Sequence, residues 1–150
     1  MHLKWLEPED ATLRKSTLTL LSDDPAMQVA VAAMLRRHPQ SFDLSCLAPC
    51  DALSALRDAA TDLVLIDADA AVDVVVSVAV AALVQPAPVV VVGVALGRDE
   101  ALDAACLVHG ATAVLAKASG PGAPNLAGAE GDALISRLTL LVRPANAVAS

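Results

Sequence analysis

The chain has 150 residues, 56% of them apolar and mostly Ala, Val or Leu, with Trp5 and Phe42 as the aromatics and no tyrosine. That length suits one domain able to bury roughly two thirds of its unfolded surface, and small aliphatics suit helices packed closely on a parallel sheet. The net charge of −7 and the lack of an aromatic stacking platform argue against a sequence-independent grip on nucleic acid.

Residues 1–15 read as a charged N-terminal extension in which Trp5 and Leu6 are suited to docking on the domain. Residues 1–10 have no apolar h-region, so no secretory signal is expected and a cytoplasmic location is. Leu18-Thr19-Leu20-Leu21 reads as a buried first strand. Pro25 then opens a helix through Met27, Ala30, Val31, Met34 and Leu35, ending near Arg36-Arg37-His38-Pro39. Proline in the first turn and bases in the last fit the preferences of helix ends. Phe42 to Leu47 is a second strand, and Pro49-Cys50-Asp51 begins a helix through Leu53, Leu56 and Ala59.

Asp62 to Ile66 is predicted as a third strand, near-continuously apolar as a central parallel strand should be. A Val-rich helix is predicted from Val72 to Val84 against the weak helix propensity of valine. The greasiest window, 70–84, contains Asp73 and falls short of the roughly 18 residues of a membrane span, so it reads as a buried helix. Pro86-Ala87-Pro88 ends it, and Val89 to Val92 is the fourth strand. Asp99 to Val108 is a helix closed by His109-Gly110, with Gly110 as a left-handed C-cap, and Thr112 to Ala116 is the fifth strand. Ser119 to Glu130 is a loop, Asp132 to Val142 a last helix, and residues 144–150 a C-terminal tail. Strands alternating with helices in this way imply a doubly wound, three-layer α/β architecture.

Three of the apolar runs end on charge: Ser22-Asp23-Asp24-Pro25, Asp67 and Lys117. A charge just past a strand's carboxyl end lies where open α/β sheets build their sites. Two carboxylates and an ammonium would converge there, an arrangement able to hold a divalent cation and a phosphoryl group. No Gly-x-Gly-x-x-Gly follows the first strand, Gly93-Val-Ala-Leu-Gly97 lacks the Lys-Ser of a phosphate loop, and no Gly-x-Ser-x-Gly elbow occurs. Cys46, Cys50 and Cys106 have no zinc-ligand spacing and read as buried reduced thiols; His2, His38 and His109 sit at a terminus and two helix ends and read as caps.

Leu-Thr-Leu-Leu-Ser22-Asp23-Asp24-Pro25, Asp62-Leu-Val-Leu-Ile-Asp67, Pro88-Val-Val-Val-Val-Gly93-Val and His109-Gly110-Ala111-Thr-Ala-Val-Leu-Ala-Lys117 resemble the four landmark segments of the CheY-like response regulator receiver domain, in order, over about residues 16–143. The resemblance implies a flavodoxin-like, doubly wound five-stranded parallel sheet of order 2-1-3-4-5 in a three-layer α/β/α sandwich. It also implies that Asp67 is the phospho-acceptor, that Lys117 pairs with the phosphoryl group, and that Mg²⁺ is held by Asp23 and Asp67, with Asp24 a further candidate. A carboxylate attacking a phosphorylated donor needs its own charge and the phosphoryl charge neutralised, which a hard cation and a lysine supply.

The departures from that pattern shape the functional expectation. Alignment on Pro25 puts Ser22 at the first position of the acidic pair, and a one-residue shift restores the pair as Asp23-Asp24, so the register is left open. The usual Pro turn and Gly after the acceptor are missing, and Asp69 adds a third acid. Gly93 replaces the switch Ser or Thr, Val114 the aromatic rotamer switch, and Ala118 the proline that usually follows the lysine. The expectation is an atypical receiver-like signalling module of a bacterial two-component or related pathway, acting mainly through protein–protein interaction with an impaired switch and no enzymatic activity of its own. The alternatives are a receiver phosphorylated on Asp67 and an N-terminal regulatory domain of a larger enzyme such as a chemotaxis methylesterase. A histidine kinase or effector is the implied partner, with a homodimer left open and neither nucleic acid nor membrane expected. Leu102, Cys106, Leu138 and Leu141 fit either a partner face or the core, and Val74, Val75 and Val76 cannot all face one core.

Overall fold

The computed structural model describes residues 15–117, 126 and 128–149. Five strands, β1 (Ser16–Leu21), β2 (Phe42–Leu47), β3 (Leu63–Asp67), β4 (Val89–Gly93) and β5 (Ala113–Ala116), form one parallel sheet in the order β2-β1-β3-β4-β5. The connecting helices are α1 (Pro25–Arg37), α2 (Ala52–Asp58, after a 3₁₀ turn at Pro49–Asp51), α3 (Val74–Val84) and α4 (Glu100–Val108), and α5 (Ala129–Ala149) follows β5. The flavodoxin-like architecture expected from the sequence is therefore the one adopted.

Alternation along the strands divides the core into two layers. Leu18, Leu20, Leu63, Leu65, Val90 and Val92 pack against Met27, Val31 and Met34 of α1 and Leu134, Ile135 and Leu138 of α5. Val64, Ile66, Val89 and Val91 pack against Leu56 of α2, Val78 and Ala81 of α3 and Cys106 of α4. Helices on both faces leave the central strands no solvent side, which is why they are apolar at successive positions. Leu138 and Cys106 are fully buried, and Leu102 and Leu141 pack against the two clusters, so these four residues belong to the core.

Helix boundaries follow the caps. Asp73 accepts from the Val76 N–H at 3.2 Å, so α3 starts at Val74, two residues later than expected, and leaves Val72 fully exposed. Burial of Val78 and Ala81 outweighs the weak propensity of the valines in α3. Asp99 caps α4 by accepting from Leu102 N–H at 3.1 Å, and His38 and His109 are the C-caps of α1 and α4. Gly110 has φ +124°, and a Cβ there would meet the Ala82 Cβ at 2.5 Å, so the turn needs glycine for conformation and for space. α5 starts before Asp132 and continues past Val142 to Ala149, so 144–149 of the expected C-terminal tail are helical.

Cys106 is buried, as expected, but Cys46 and Cys50 are exposed. β2 is an edge strand with only Phe42 buried, so the sheet does not enclose Cys46. The expected roles of Trp5 and Leu6 and of Ala118 fall outside the described residues, as does most of the Ser119–Glu130 loop.

Buried Gln85 is a feature the sequence pattern does not announce. Its Nε2 donates to the carbonyl of Leu56 and, at 2.8 Å, to that of Ala59, satisfying the C-terminal end of α2 from the end of α3. Gln85→Leu should cost about 1–2 kcal/mol in urea unfolding, because the Ala59 carbonyl loses its side-chain donor and the Leu56 carbonyl keeps only the Ala59 N–H; an unchanged midpoint would mean that water replaces the amide.

Asp132 joins α5 to α1 through His38 Nε2 at 2.8 Å and Arg37 Nη2 at 3.2 Å. The His38 hydrogen bond is the main cause holding the Asp132 carboxyl below its ordinary value of 3.8, with the Arg37 and His38 charges adding to it. A depressed acid stabilises the fold above its unfolded pKa and loses that contribution as pH falls through the folded value. A carboxyl NMR titration should place the Asp132 midpoint below 3.8 and His38→Ala should raise it; equal midpoints would show that the contact carries no weight.

Candidate functional site

β1 lies between β2 and β3, so the chain winds to one side after β1 and to the other after β3. Open α/β sheets form a crevice at the carboxyl ends of the strands flanking such a reversal. Leu21 is paired with Ile66, which brings Ser22 and Asp67 side by side at that crevice. β4 and β5 continue the row: Gly93 is paired with Ala116, and the Lys117 N–H donates to the Gly93 carbonyl at 3.0 Å, placing Lys117 one residue past β5.

Asp67 has no solvent exposure, and both of its carboxylate oxygens are engaged. Oδ2 accepts from the Ser22 hydroxyl at 2.8 Å. Oδ1 accepts from Lys117 Nζ at 2.8 Å and from the Asp69 N–H at 3.2 Å. The Ser22 hydroxyl also accepts from the Asp24 N–H at 3.1 Å, so the serine is fixed from both directions. Burial alone would make a lone carboxylate here costly; an ammonium, a hydroxyl and an amide offset that cost.

Lys117 has a second carboxylate partner. Asp69 Oδ2 lies 2.9 Å from its Nζ, and the same carboxylate accepts from the Val94 N–H at 3.2 and 3.3 Å. Close approach of the two segments explains Gly93. A Cβ at position 93 would meet the Ala68 Cβ at 2.8 Å and lie 3.4 Å from Asp69 Oδ1. The glycine is thus a requirement of packing, in addition to being a residue without a hydroxyl. Burial works against the Lys117 ammonium, but hydrogen bonds and charges from Asp67 and Asp69 outweigh it, so its pKa lies above the ordinary 10.5. A raised basic pKa adds stability that is fully present below the unfolded value and fades as pH rises through the folded one. Thermal stability should therefore fall above pH 10.5 more steeply than in Lys117→Met; parallel alkaline limbs would remove this pair from the account.

Of the residues marked in the sequence, strand pairing and hydrogen bonds bring together Asp67, Lys117 and Gly93. Asp23 is exposed, and Asp24 is the N-cap of α1, accepting from the Ala26 N–H at 3.0 Å. Ser22 takes the buried place at the end of β1, so the undecided register resolves with a hydroxyl facing Asp67. Among the described residues no three His, Cys, Asp or Glu side chains converge on a metal position. Mg²⁺ favours carboxylate oxygens with free lone pairs. Here Ser22 donates a hydrogen bond to Asp67, and Lys117 contacts both Asp67 and Asp69, so a divalent cation would share these carboxylates with the ammonium. Val114 is partly buried against the α2–α4 layer and supplies no aromatic ring at the expected switch position.

Solved structures share this arrangement of elements. The BeF3-activated N-terminal receiver domain of Klebsiella pneumoniae RstA superposes with a TM-score of 0.67 at 21% identity, covering 87% of this chain and 99% of that one. The response regulator domain of Thermotoga maritima CheB gives 0.67 at 14%, covering 87% and 96%. This chain has the receiver-domain fold. The receiver domain of a Pseudomonas aeruginosa PAO1 sensor histidine kinase, with a magnesium ion coordinated in its active-site cleft, matches with a TM-score of 0.60 at 22% identity, covering 83% and 97%. No protein-family model and no curated protein sequence matches the chain. In the receiver fold adopted here, sequence reasoning noted Asp69 as an extra acid but missed its two contacts. The signal was its position two residues after Asp67, inside the same strand-to-helix turn.

Proposed function

We propose that this chain is an atypical receiver-like signalling module of a bacterial two-component or related pathway, working through contact with a partner protein and independently of phosphorylation on Asp67. The observation that carries this reading is the closed state of Asp67: no exposure, and a donor on each carboxylate oxygen from Ser22, Lys117 and the Asp69 amide. A nucleophile needs a free oxygen in line with the donor phosphorus. A phosphorylation switch also needs contacts that differ between two states, and Gly93 and Val114 provide neither the hydroxyl nor the ring for them.

Contact with a protein is supported by apolar side chains left exposed on α3 and at the end of α4, among them Val76, Leu83 and Val108. α3 carries no charged residue along its length, which suits a helix that meets another protein. Treating the protein with acetyl phosphate and measuring intact mass tests the proposal. No phosphoryl adduct is expected; a stoichiometric adduct that disappears in Asp67→Asn would overturn it. That adverse result would favour the second reading, a phosphorylatable receiver, for which the Asp67–Lys117 contact is the supporting observation.

A further inference from the structure

We propose that Asp69 is the resident anion of this site, a carboxylate supplied by the chain itself that occupies the position an incoming oxyanion would take. The inference rests on the reading of Asp67 as an unused acceptor and names what keeps it unused. Lys117, one residue past β5, and Val94, one residue past β4, each supply a donor at the carboxyl end of the sheet, and Asp69 engages both. An ammonium and a backbone amide at the end of a strand make an anion-binding pair, and the pair is already filled.

Two further observations fit an occupant rather than an incidental surface acid. Gly93 has no side chain where a Cβ would collide with Ala68, so the segment carrying Asp69 closes onto the end of β4 only because position 93 is glycine. Residue 93 without a hydroxyl and residue 69 with a carboxylate are thus two halves of one arrangement. The Asp69 amide also donates to Asp67 Oδ1 at 3.2 Å, so the residue that fills the anion position ties down the acceptor as well. Asp69 is a positioning residue: it acts through Lys117 and Asp67 and needs no ligand to do so. A negatively charged donor approaching Asp67 meets a second carboxylate that already shares the Lys117 ammonium.

The test compares the unmodified protein with Asp69→Asn and Asp69→Ala in reaction with phosphoramidate, with and without Mg²⁺. In the reaction the P–N bond breaks, a P–O bond forms to Asp67, and the nitrogen leaves as ammonia after taking a proton from water. Asn keeps an acceptor for Val94 without the charge, and Ala removes both, so the pair separates charge from packing. Asp69 is substantially exposed, with side-chain exposure of 40%, so both variants should fold. Phosphorylation at Asp67 should proceed at least about tenfold faster in both variants than in the parent, the effect of losing one charge-assisted contact. Equal rates in all three proteins would overturn the inference. If those equal rates are negligible, the function proposed above stands; if they are fast, it falls as well.

Discussion

Lys117→Met should be the most damaging single change at the site, lowering stability by about 3–5 kcal/mol, the usual cost of removing one partner of a buried ion pair. Methionine keeps the length of the stem, so packing changes little and the loss measures charge. The reason is Asp67: with no exposure it cannot recover hydration when the ammonium leaves, and it retains only Ser22 and one amide. Asp69 adds to the penalty, since its carboxylate also contacts Nζ and would be left beside a second uncompensated acid. The companion Lys117→Met/Asp67→Asn chain should regain most of the loss, because neutral amide and thioether leave no buried charge. Urea unfolding of both chains checks this; a loss below about 1 kcal/mol in the single variant would mean that water reaches Asp67.

Gly93→Thr, the change that would install the missing hydroxyl, should instead destabilise by about 2–4 kcal/mol. Overpacking against Ala68 typically costs about 1–3 kcal/mol, and the contact of Asp69 with the Val94 amide would be lost with it. The clash involves a Cβ on each side, 2.8 Å apart, so rotamer changes cannot relieve it. Ala68→Gly in the same chain removes one of those atoms and should restore most of the stability. If Gly93→Thr alone matches the parent midpoint, the β3–α3 turn is more yielding than the packing implies.

These two expectations show where the sequence was legible. Burial on both faces forces long apolar runs in parallel strands, so β1, β3 and β4 were visible from Leu18, Leu63 and Val89 onward. Asp67 and Lys117 were visible because each ends such a run. Helix ends were less so: Asp73 and Asp99 set the starts of α3 and α4 through a single side-chain bond, which periodicity does not register. The meaning of Gly93 was half visible. Absence of a hydroxyl can be read from the letter, but contact with Ala68 depends on how the turn after β3 folds back across the sheet. Ser22 illustrates the same limit, since a one-residue choice of register decided whether an acid or a hydroxyl faced Asp67, and only the pairing of Leu21 with Ile66 settles it. Asp69 stood in plain view as a third acid, yet its partners lie 25 and 48 positions away along the chain.

The central claim is that Asp67 is held by Ser22, Lys117 and the Asp69 amide in a state that does not respond to a phosphoryl group. Titration with Mg²⁺ followed by beryllofluoride, which stands in for the phosphoryl group on the aspartate, tests it most directly when amide chemical shifts are followed across the domain. No saturable shifts are expected at Asp67, Val94 or Lys117 and none in α4 or α5. Saturable shifts at those three residues that spread into α4 and α5, and vanish in Asp67→Asn, would contradict it.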